Sequence, residues 1–283
     1  QSVGDFLGRH ANQNTRVNQT SAMNNVAMFL TKKGVKHTLN ITVAHIAEYR
    51  DHVKRPGSPY AATTRALHLV ITAAWLKWCI DRGSLTMAKH EDIKRLLKRD
   101  KLASDAIVIL QPKELRQLLA SCIEHDKNES VKVAPLVLTT LLTGCRFGEA
   151  AGLTWAEIDV EDKSIKLDSA RTKTKTHRTI KLTETPSVPA LFAALGLSGR
   201  KGKVFKHITR SAAESARKRL ANYDAPPGWT WHTLRRTCGS LCVNAAIYGK
   251  ASPFRTAKRL GHSLVVAERS YLGTITGLPK NCE

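Results

Sequence analysis

The spacing of apolar residues over the first hundred positions predicts a series of helices separated by polar breaks. Apolar side chains recur every three or four residues, the spacing that places them on one face of an α-helix. A glycine or a Pro/Gly-rich stretch follows each of the first three segments, as is typical where a helix ends. The predicted helices cover about residues 16–32, 42–54, 60–82 and 89–99.

The third predicted helix has the strongest pattern, and its two tryptophans have two interpretations. Its apolar positions are Leu67, Val70, Ile71, Ala74, Trp75, Trp78 and Cys79. A tryptophan on such a stripe packs in a core more often than it stacks on a nucleic-acid base. We therefore expect Trp75 and Trp78 in the core, with base stacking as the alternative.

The second part of the chain adds strands to a pattern that is otherwise helical. Two alternating runs, residues 164–168 and 177–182, predict an antiparallel strand pair joined by a Thr/Lys-rich turn. Helices are predicted near residues 112–119, 131–142, 146–153, 187–195, 209–223, 233–247, 252–260 and 263–272. The fold class is therefore mainly α with a small antiparallel β-sheet. A polar run leading to Asp105 places the domain boundary there, between residues 1–104 and 105–283.

The charge balance indicates a polyanionic partner. Lys and Arg total 45 against 23 Asp and Glu, which gives a formal net charge of +22. The basic residues are mixed with apolar ones along the chain, so they do not form a disordered basic tail. We expect a nucleic acid as the partner, with a membrane surface or an acidic protein as weaker alternatives. No apolar run reaches the ~20 residues of a transmembrane helix, and no signal peptide is visible.

The six cysteines are interpreted as reduced thiols in a cytosolic protein, because they show no paired spacing. Cys238 and Cys242 lie one helical turn apart near His232, which raises the alternative of a zinc site. They lack a CxxC pair, and their neighbours are apolar. We therefore expect buried small side chains and no metal.

Three short clusters in the second part carry candidate chemistry. They are residues 143–149 (TGCRFGE), residues 232–235 (HTLR) and residues 260–271, which run from LGH to a tyrosine. Together they supply two guanidiniums, two imidazoles and a phenol, a set suited to nucleophilic attack on a phosphodiester. An isolated HxxR pair or a single arginine at a helix start is more often an exposed polar position, so only the combination is informative.

These clusters resemble the motifs of the tyrosine recombinase family, the phage-type integrases and related site-specific recombinases. The first motif, Thr-Gly-x-Arg-x-x-Glu followed by Leu-x-Trp, matches residues 143–149 and 153–155. The second, His-x-Leu-Arg-x-Thr, matches residues 232–237, and Leu-Gly-His with a tyrosine nine residues later matches residues 260–271. The resemblance covers about residues 110–272 in the right order.

The resemblance implies that Tyr271 attacks a DNA phosphodiester and forms a 3′-phosphotyrosyl bond. No cofactor is needed, because the covalent intermediate conserves the energy of the bond. Arg146 and Arg235 would hold the non-bridging oxygens of the transition state. His232 and His262 would donate to the same oxygens or assist proton transfer at Tyr271, and which does which stays open.

A lysine in the turn between two strands donates the leaving-group proton in this family. Lys173 is the matching residue, and Lys175 is the alternative. The alternative without a catalytic role is that both lysines only contact phosphate. The acidic residue of the first motif is Glu149, which is expected to orient Arg146 or a neighbouring histidine.

The resemblance also implies an N-terminal helical core-binding domain and a C-terminal catalytic domain that clamp double-stranded DNA between them. Expected DNA contacts are Arg65, Arg171, Lys175 and Arg178. The expected assembly is a homotetramer on two duplexes, with accessory DNA-bending proteins as further partners and no membrane partner. We expect a cytoplasmic protein that is nucleoid-associated when bound to DNA.

The main hypothesis is a site-specific recombinase (integrase) that integrates or excises a mobile element. One alternative is a type IB topoisomerase-like enzyme, which uses similar chemistry as a monomer. The other is a catalytically silent DNA-binding protein with an architectural role. The close motif spacing and the small helical front domain favour the recombinase over the topoisomerase, and the complete set of reactive residues disfavours the silent protein.

Overall fold

The computed structural model describes residues 2–9, 13–98, 107–168, 177–182, 188–196, 201–206, 208–244 and 253–263. The chain divides into two compact units, Gln1–Asp105 and Ala106–Glu283. The predicted boundary at Asp105 falls in residues 99–106, outside the described residues.

The first unit is helical throughout its described part. Its helices are α1 (Ser2–Gly8), α2 (Gln13–Lys32), α3 (Val43–Lys54), α4 (Ala62–Asp81) and α5 (His90–Leu96). Helix α3 begins after Thr42, whose side chain accepts a hydrogen bond from the backbone amide of His45. Helix α4 packs against α2, α3 and α5, and it buries Trp75 and Trp78 in their shared core. The core position predicted for both tryptophans is therefore confirmed.

The second unit contains the remaining helices. They are α6 (Pro112–Asn128), α7 (Ala134–Thr143), α8 (Phe147–Ala151), α9 (Val188–Leu195), α10 (Arg210–Arg219), α11 (Trp231–Asn244) and α12 (Pro253–Leu260). Short 3-10 turns are Trp155–Glu157 and Leu220–Tyr223, with Thr38–Asn40 in the first unit. The helix predicted over residues 263–272 lies almost wholly outside the described residues.

A small sheet lies beside these helices. Its strands are β1 (Ile158–Asp159), β2 (Ser164–Leu167) and β3 (Arg178–Lys181), in the order β1-β2-β3 with both pairs antiparallel. Ile165 of β2 pairs with Ile180 of β3, and both side chains are buried in the core of the unit. The predicted strand pair and the mainly α fold class are confirmed, and β1 is a short addition to the sheet.

Helix α7 lies at the centre of the second unit. It is apolar on nearly every side and packs against α6, α9 and α11, so it is buried as expected. The helix ends at Gly144, which adopts a left-handed backbone conformation with a φ of 67°. A Cβ at this position would overlap the Leu260 side chain and come within 3.1 Å of Cys238 Sγ. Gly144 therefore lets the ends of α7 and α12 meet against α11.

Within the described part of the chain, no helix is long and apolar enough to cross a membrane.

We expect Gly144→Ala to lower the free energy of unfolding of the second unit by ~2–5 kcal/mol. The left-handed backbone costs an alanine ~1–2 kcal/mol, and the overlap with Leu260 adds ~1–3 kcal/mol. Gly228→Ala is the matched control, because Gly228 has a φ of 73° but open space around its Cα. Urea unfolding should show the larger loss for Gly144→Ala. Equal losses in the two variants would contradict the close contact.

Candidate active site

Arg146 and Glu149 are joined at the start of α8. Arg146 precedes the helix as its N-cap, and its backbone amide donates to Glu149 Oε2 at 2.8 Å. Its Nη1 donates to Glu149 Oε1 at 2.8 Å. A carboxylate at the third helical position satisfies an otherwise unpaired amide, so the short helix forms around this pair. The ion pair is the contact that the predicted orienting role of Glu149 requires.

Glu149 is the shared partner of three arginines. Its side chain is 3% exposed, and its Oε2 lies 2.8 Å from Arg178 Nη2 and 4.0 Å from Arg235 Nη1. Burial alone would raise the pKa of Glu149, but the charges of Arg178 and Arg146 and the amide of Arg146 outweigh burial and lower it. The carboxylate is therefore ionised, and three guanidiniums surround one negative charge. This excess of positive charge suits an anionic ligand.

Arg235 is fully buried and held by the ends of two helices. Its Nη1 donates to the carbonyl of Gly144 at the end of α7, and its Nη2 donates to the carbonyl of Leu260 at the end of α12. Carbonyls at a helix C-terminus carry a partial negative charge. A guanidinium buried without such partners would be strongly destabilising. The two carbonyls and Glu149 therefore fix the position of Arg235.

His262 follows α12 and contacts Arg235. Its Nε2 lies 2.5 Å from Arg235 Nη2. Because a guanidinium only donates hydrogen bonds, Nε2 must accept, which leaves the ring neutral with its proton on Nδ1. Burial lowers the pKa of His262 to about 4, with added repulsion from Arg235, Arg146 and Arg178 that Glu149 partly offsets. His262 is therefore a neutral donor at physiological pH.

His232 lies at the start of α11, one turn before Arg235. The helix begins there because Thr230 and Thr233 each donate a backbone amide to the hydroxyl of the other. The residue as a whole is exposed. Its pKa is nevertheless lowered, first because the adjacent protein partly desolvates the ring and then because of Arg236, Arg235 and Arg146. The ring is thus mainly neutral near pH 7.

The structure brings together four of the residues predicted for the site: Arg146, Glu149, Arg235 and His262. His232, the fifth, lies on the same helix as Arg235, and the charges of Arg235 and Arg146 help to lower its pKa. Arg65 lies on α4 of the other unit, where it is partly buried. The remaining predicted residues lie outside the described residues; they are Arg171, Lys173, Lys175 and Tyr271.

Arg178, which we predicted as a DNA contact, has a side chain that is directed inward in the described structure. Its side chain is 8% exposed and donates to Glu149 Oε2 and to the carbonyl of Leu260, each at 2.8 Å. Strand residues alternate between faces, and Arg178 shares its face with the buried Ile180. The guanidinium therefore points into the site, beside Glu149.

Sequence reasoning missed the groups that connect the motifs. The carbonyls of Gly144 and Leu260 have no sequence signal beyond the glycines that end α7 and α12. Arg259 was also missed: it donates to the carbonyl of Lys181 on β3 at 2.9 Å and to that of Leu142 on α7 at 2.7 Å. Basic residues in the last turn of a helix are common, so its position alone did not single it out.

Cys238 and Cys242 are the residues for which a zinc site was the alternative. Cys238 and Cys242 are buried on α11, as expected for small core side chains. Among the described residues, no group of three or more His, Cys, Asp or Glu side chains is arranged to hold a metal ion.

Comparison with known proteins gives the family. Residues 109–266, more than half of the chain, match the model of the phage integrase family. No curated protein matches the chain. The chain is similar to a solved lambda integrase (75-356) dimer bound to a COC' core site, with 16% identity, 96% of this chain and 92% of that chain covered, and a TM-score of 0.71.

Two further solved structures share the fold. The Tn1549 transposon integrase in complex with transposon right end DNA is 16% identical, with 97% of this chain and 96% of that chain covered and a TM-score of 0.71. A lambda integrase tetramer bound to a Holliday junction is 14% identical, with 93% and 76% covered and a TM-score of 0.65.

The chain belongs to the phage integrase family. It is therefore a tyrosine-type site-specific recombinase.

The low pKa of His262 predicts a loss of stability in acid. The folded protein keeps the ring neutral down to about pH 4, whereas the unfolded chain takes up a proton below its ordinary pKa of 6.5. The contribution of neutral His262 is thus complete above about pH 6.5 and is lost as the pH falls toward 4. In thermal unfolding, wild type should lose more stability between about pH 7.5 and pH 5 than His262→Gln, which does not titrate. The same pH dependence in both proteins would argue against the neutral ring.

Proposed function

We propose that this recombinase cleaves and rejoins double-stranded DNA through Tyr271. The observation that carries the proposal is the cluster of three arginines around the single carboxylate of Glu149, with the neutral His262 beside it. In the proposed step the Tyr271 oxygen attacks the phosphorus, and the bond from phosphorus to the 5′ oxygen breaks. A 3′-phosphotyrosyl bond and a free 5′-hydroxyl result.

The proposed roles of the arginines follow from their exposure. The Arg146 side chain is 24% exposed, whereas that of Arg235 is 1% exposed and held by backbone carbonyls. Arg146 would reach a phosphate oxygen from the open side, and Arg235 would provide a fixed positive charge behind it. Removing one donor of this kind from a preorganised site typically slows a reaction by ~10²–10³-fold.

We assign the proton-transfer roles from the position of each residue in the motifs and from the protonation state of each histidine. Lys173, with Lys175 as the alternative, would give its ammonium proton to the departing 5′ oxygen. His262 would donate its Nδ1 proton to a non-bridging oxygen, because Nε2 is occupied by Arg235. His232 is exposed and mainly neutral, which suits a base that accepts the phenol proton of Tyr271.

The proposed substrate is a pair of DNA duplexes bound by four copies of the chain. The net charge of +22 supports a DNA partner. The similar lambda integrase was solved as a dimer on a core site and as a tetramer on a Holliday junction. Arg65, Arg171 and Lys175 would contact phosphates. We further propose that the enzyme integrates or excises a mobile element in the cytoplasm, with accessory DNA-bending proteins.

The test is a covalent trap. The protein is incubated with a nicked duplex of the attachment core of its element, from which a short 5′-hydroxyl fragment diffuses away after cleavage. We expect a protein–DNA adduct that survives SDS, and its complete loss in Tyr271→Phe, because phenylalanine has no nucleophilic oxygen. Tyr223→Phe is the matched control and should form the adduct, because Tyr223 lies in a 3-10 turn and contacts His125.

The outcomes separate the competing functions. Tight binding to the duplex without an adduct would contradict the proposal and indicate a silent DNA-binding protein. An adduct formed by a monomer that relaxes supercoiled DNA without exchanging strands would instead indicate a topoisomerase-like enzyme. Adduct formation together with strand exchange between two duplexes supports the recombinase.

A further inference from the structure

Arg178 connects three parts of the second unit from a single position on β3. Its Nη2 donates to Glu149 Oε2 on α8, and its Nη1 donates to the carbonyl of Leu260 at the end of α12, each at 2.8 Å. Arg235 donates to the same carbonyl and lies near the same carboxylate oxygen. Arg178 of β3 and Arg235 of α11 therefore share the Leu260 carbonyl as an acceptor, and both lie near Glu149 Oε2.

The chain passes closely over Arg178 just before His262. Gly261 has a φ of 67°, and a Cβ on it would lie 2.5 Å from Arg178 Nη1 and 3.3 Å from Arg178 Cδ. The backbone of Gly261 thus rests against the Arg178 side chain, where a larger residue would not fit. Because His262 is the next residue, the position of the Arg178 side chain determines where the His262 side chain starts.

Arg259 makes the reciprocal connection between the same two elements. Arg178 of β3 donates to the end of α12, and Arg259 of α12 donates to the Lys181 carbonyl of β3 at 2.9 Å. The other contact of Arg259 is with the Leu142 carbonyl on α7, at 2.7 Å. Arg178 also donates to Glu149, a contact that the described hydrogen bonds do not include for Arg259. The two arginines therefore share a structural task, but only Arg178 reaches the site.

A buried arginine is a costly way to join a strand to a helix. The cost of removing a charge from water often exceeds the stabilisation that its ion pairs return. Apolar side chains at the same place are therefore often equally or more stabilising. Arg259 already links β3 to α12. The charge and the forked geometry of Arg178 thus point to a task in the site in addition to packing.

We propose that Arg178 is a positioning residue for strand cleavage. It holds the pair of Glu149 and Arg146 on one side of the phosphate and His262 on the other side. The inference rests on the proposed function, because it assigns Arg146 and His262 to the scissile phosphate. Arg178 itself does not touch DNA.

The positioning role has an electrostatic signature at His262. The charged groups that face this ring are Arg235 of α11, Arg146 and Glu149 at α8, and Arg178 of β3. Arg178 is one of the charges that keep the pKa of His262 near 4, so its removal raises that pKa toward the ordinary 6.5. Arg259 is not among the principal groups that set this pKa. A structural defect that leaves His262 buried would leave the titration of the ring unchanged.

The experiment compares Arg178→Met, Arg178→Lys and Arg259→Met with wild type. Single-turnover cleavage of the nicked duplex is measured at saturating protein from about pH 5 to pH 8, and DNA affinity is measured separately. For Arg178→Met we expect cleavage to fall about 10- to 100-fold, because small misplacements of reacting groups have effects of that size. Affinity should change less than about threefold, and an acid limb in addition to any that wild type shows should appear as the pKa of His262 rises into the measured range.

The other two variants separate charge from structure. Arg178→Lys restores the charge but replaces the two donor nitrogens of the fork with a single nitrogen, so the acid limb should disappear while cleavage recovers only in part. Arg259→Met should lower thermal stability without an acid limb.

If Arg178→Met loses affinity as much as rate, Arg178 is a DNA contact and the inference is overturned. The inference is also overturned if Arg259→Met acquires the same acid limb, or if Arg178→Met cleaves like wild type.

A measurement without DNA keeps the inference separate from the proposed function. The histidine ring signals of isotope-labelled protein are followed by NMR through a pH titration, and His262→Gln identifies the signal of His262. A raised pKa of His262 in Arg178→Met, with the wild-type value in Arg259→Met, supports the positioning role even if wild type forms no adduct with Tyr271. An unchanged pKa of His262 in Arg178→Met contradicts it.

Discussion

The active site depends on one buried carboxylate. Glu149 is placed by its own helix start, and it lies within 4.0 Å of guanidiniums from three separate parts of the chain. Unit charges 4 Å apart interact by ~4 kcal/mol at an effective dielectric of 20, so three guanidiniums without this carboxylate would repel each other strongly. With it, they can be buried together and still retain the excess positive charge that a phosphate needs. The first motif thus supplies both Arg146, which we propose contacts the phosphate, and the group that allows the other two arginines to approach.

Backbone carbonyls complete what Glu149 begins. The ends of α7 and α12 point at Arg235 through Gly144 and Leu260, and the end of α12 also receives Arg178. Both helices end in glycines with left-handed backbones, which turn the chain sharply enough for the two ends to meet. Helix packing and site chemistry are therefore coupled: a shift of α12 would move an acceptor of two arginines and the adjoining His262 together.

The sequence was most informative where side chains form the site and least informative where the backbone does. Helical and strand periodicity predicted the fold class, and the spacing within the motifs identified Arg146, Glu149, Arg235 and His262, which the structure brings together. It could not show that the carbonyls of Gly144 and Leu260 bind Arg235, since every residue has a carbonyl and only tertiary packing selects those two. The roles of Lys173 and Tyr271 stay predictions.

Arg178 shows how a usable signal was overlooked. Its position in a basic, DNA-binding chain favoured a phosphate contact, but its place two residues before Ile180 puts it on the buried face of β3. Strand alternation therefore indicated an inward arginine, and an inward arginine requires buried acceptors, of which a carboxylate is the strongest. Glu149 was the acid already singled out by the first motif. Composition describes the surface of a chain on average, whereas periodicity assigns a direction to an individual side chain.

The most direct test of Glu149 as the centre of the site is the cleavage rate of Glu149→Gln, measured in a single turnover at saturating protein. Glutamine keeps the size of the side chain but removes the charge that gathers the arginines. We expect cleavage to fall ~10²-fold or more, as for other losses of preorganised electrostatics, with DNA affinity unchanged or slightly higher because a negative charge near the phosphate is gone. Cleavage at the wild-type rate would contradict the central place of Glu149.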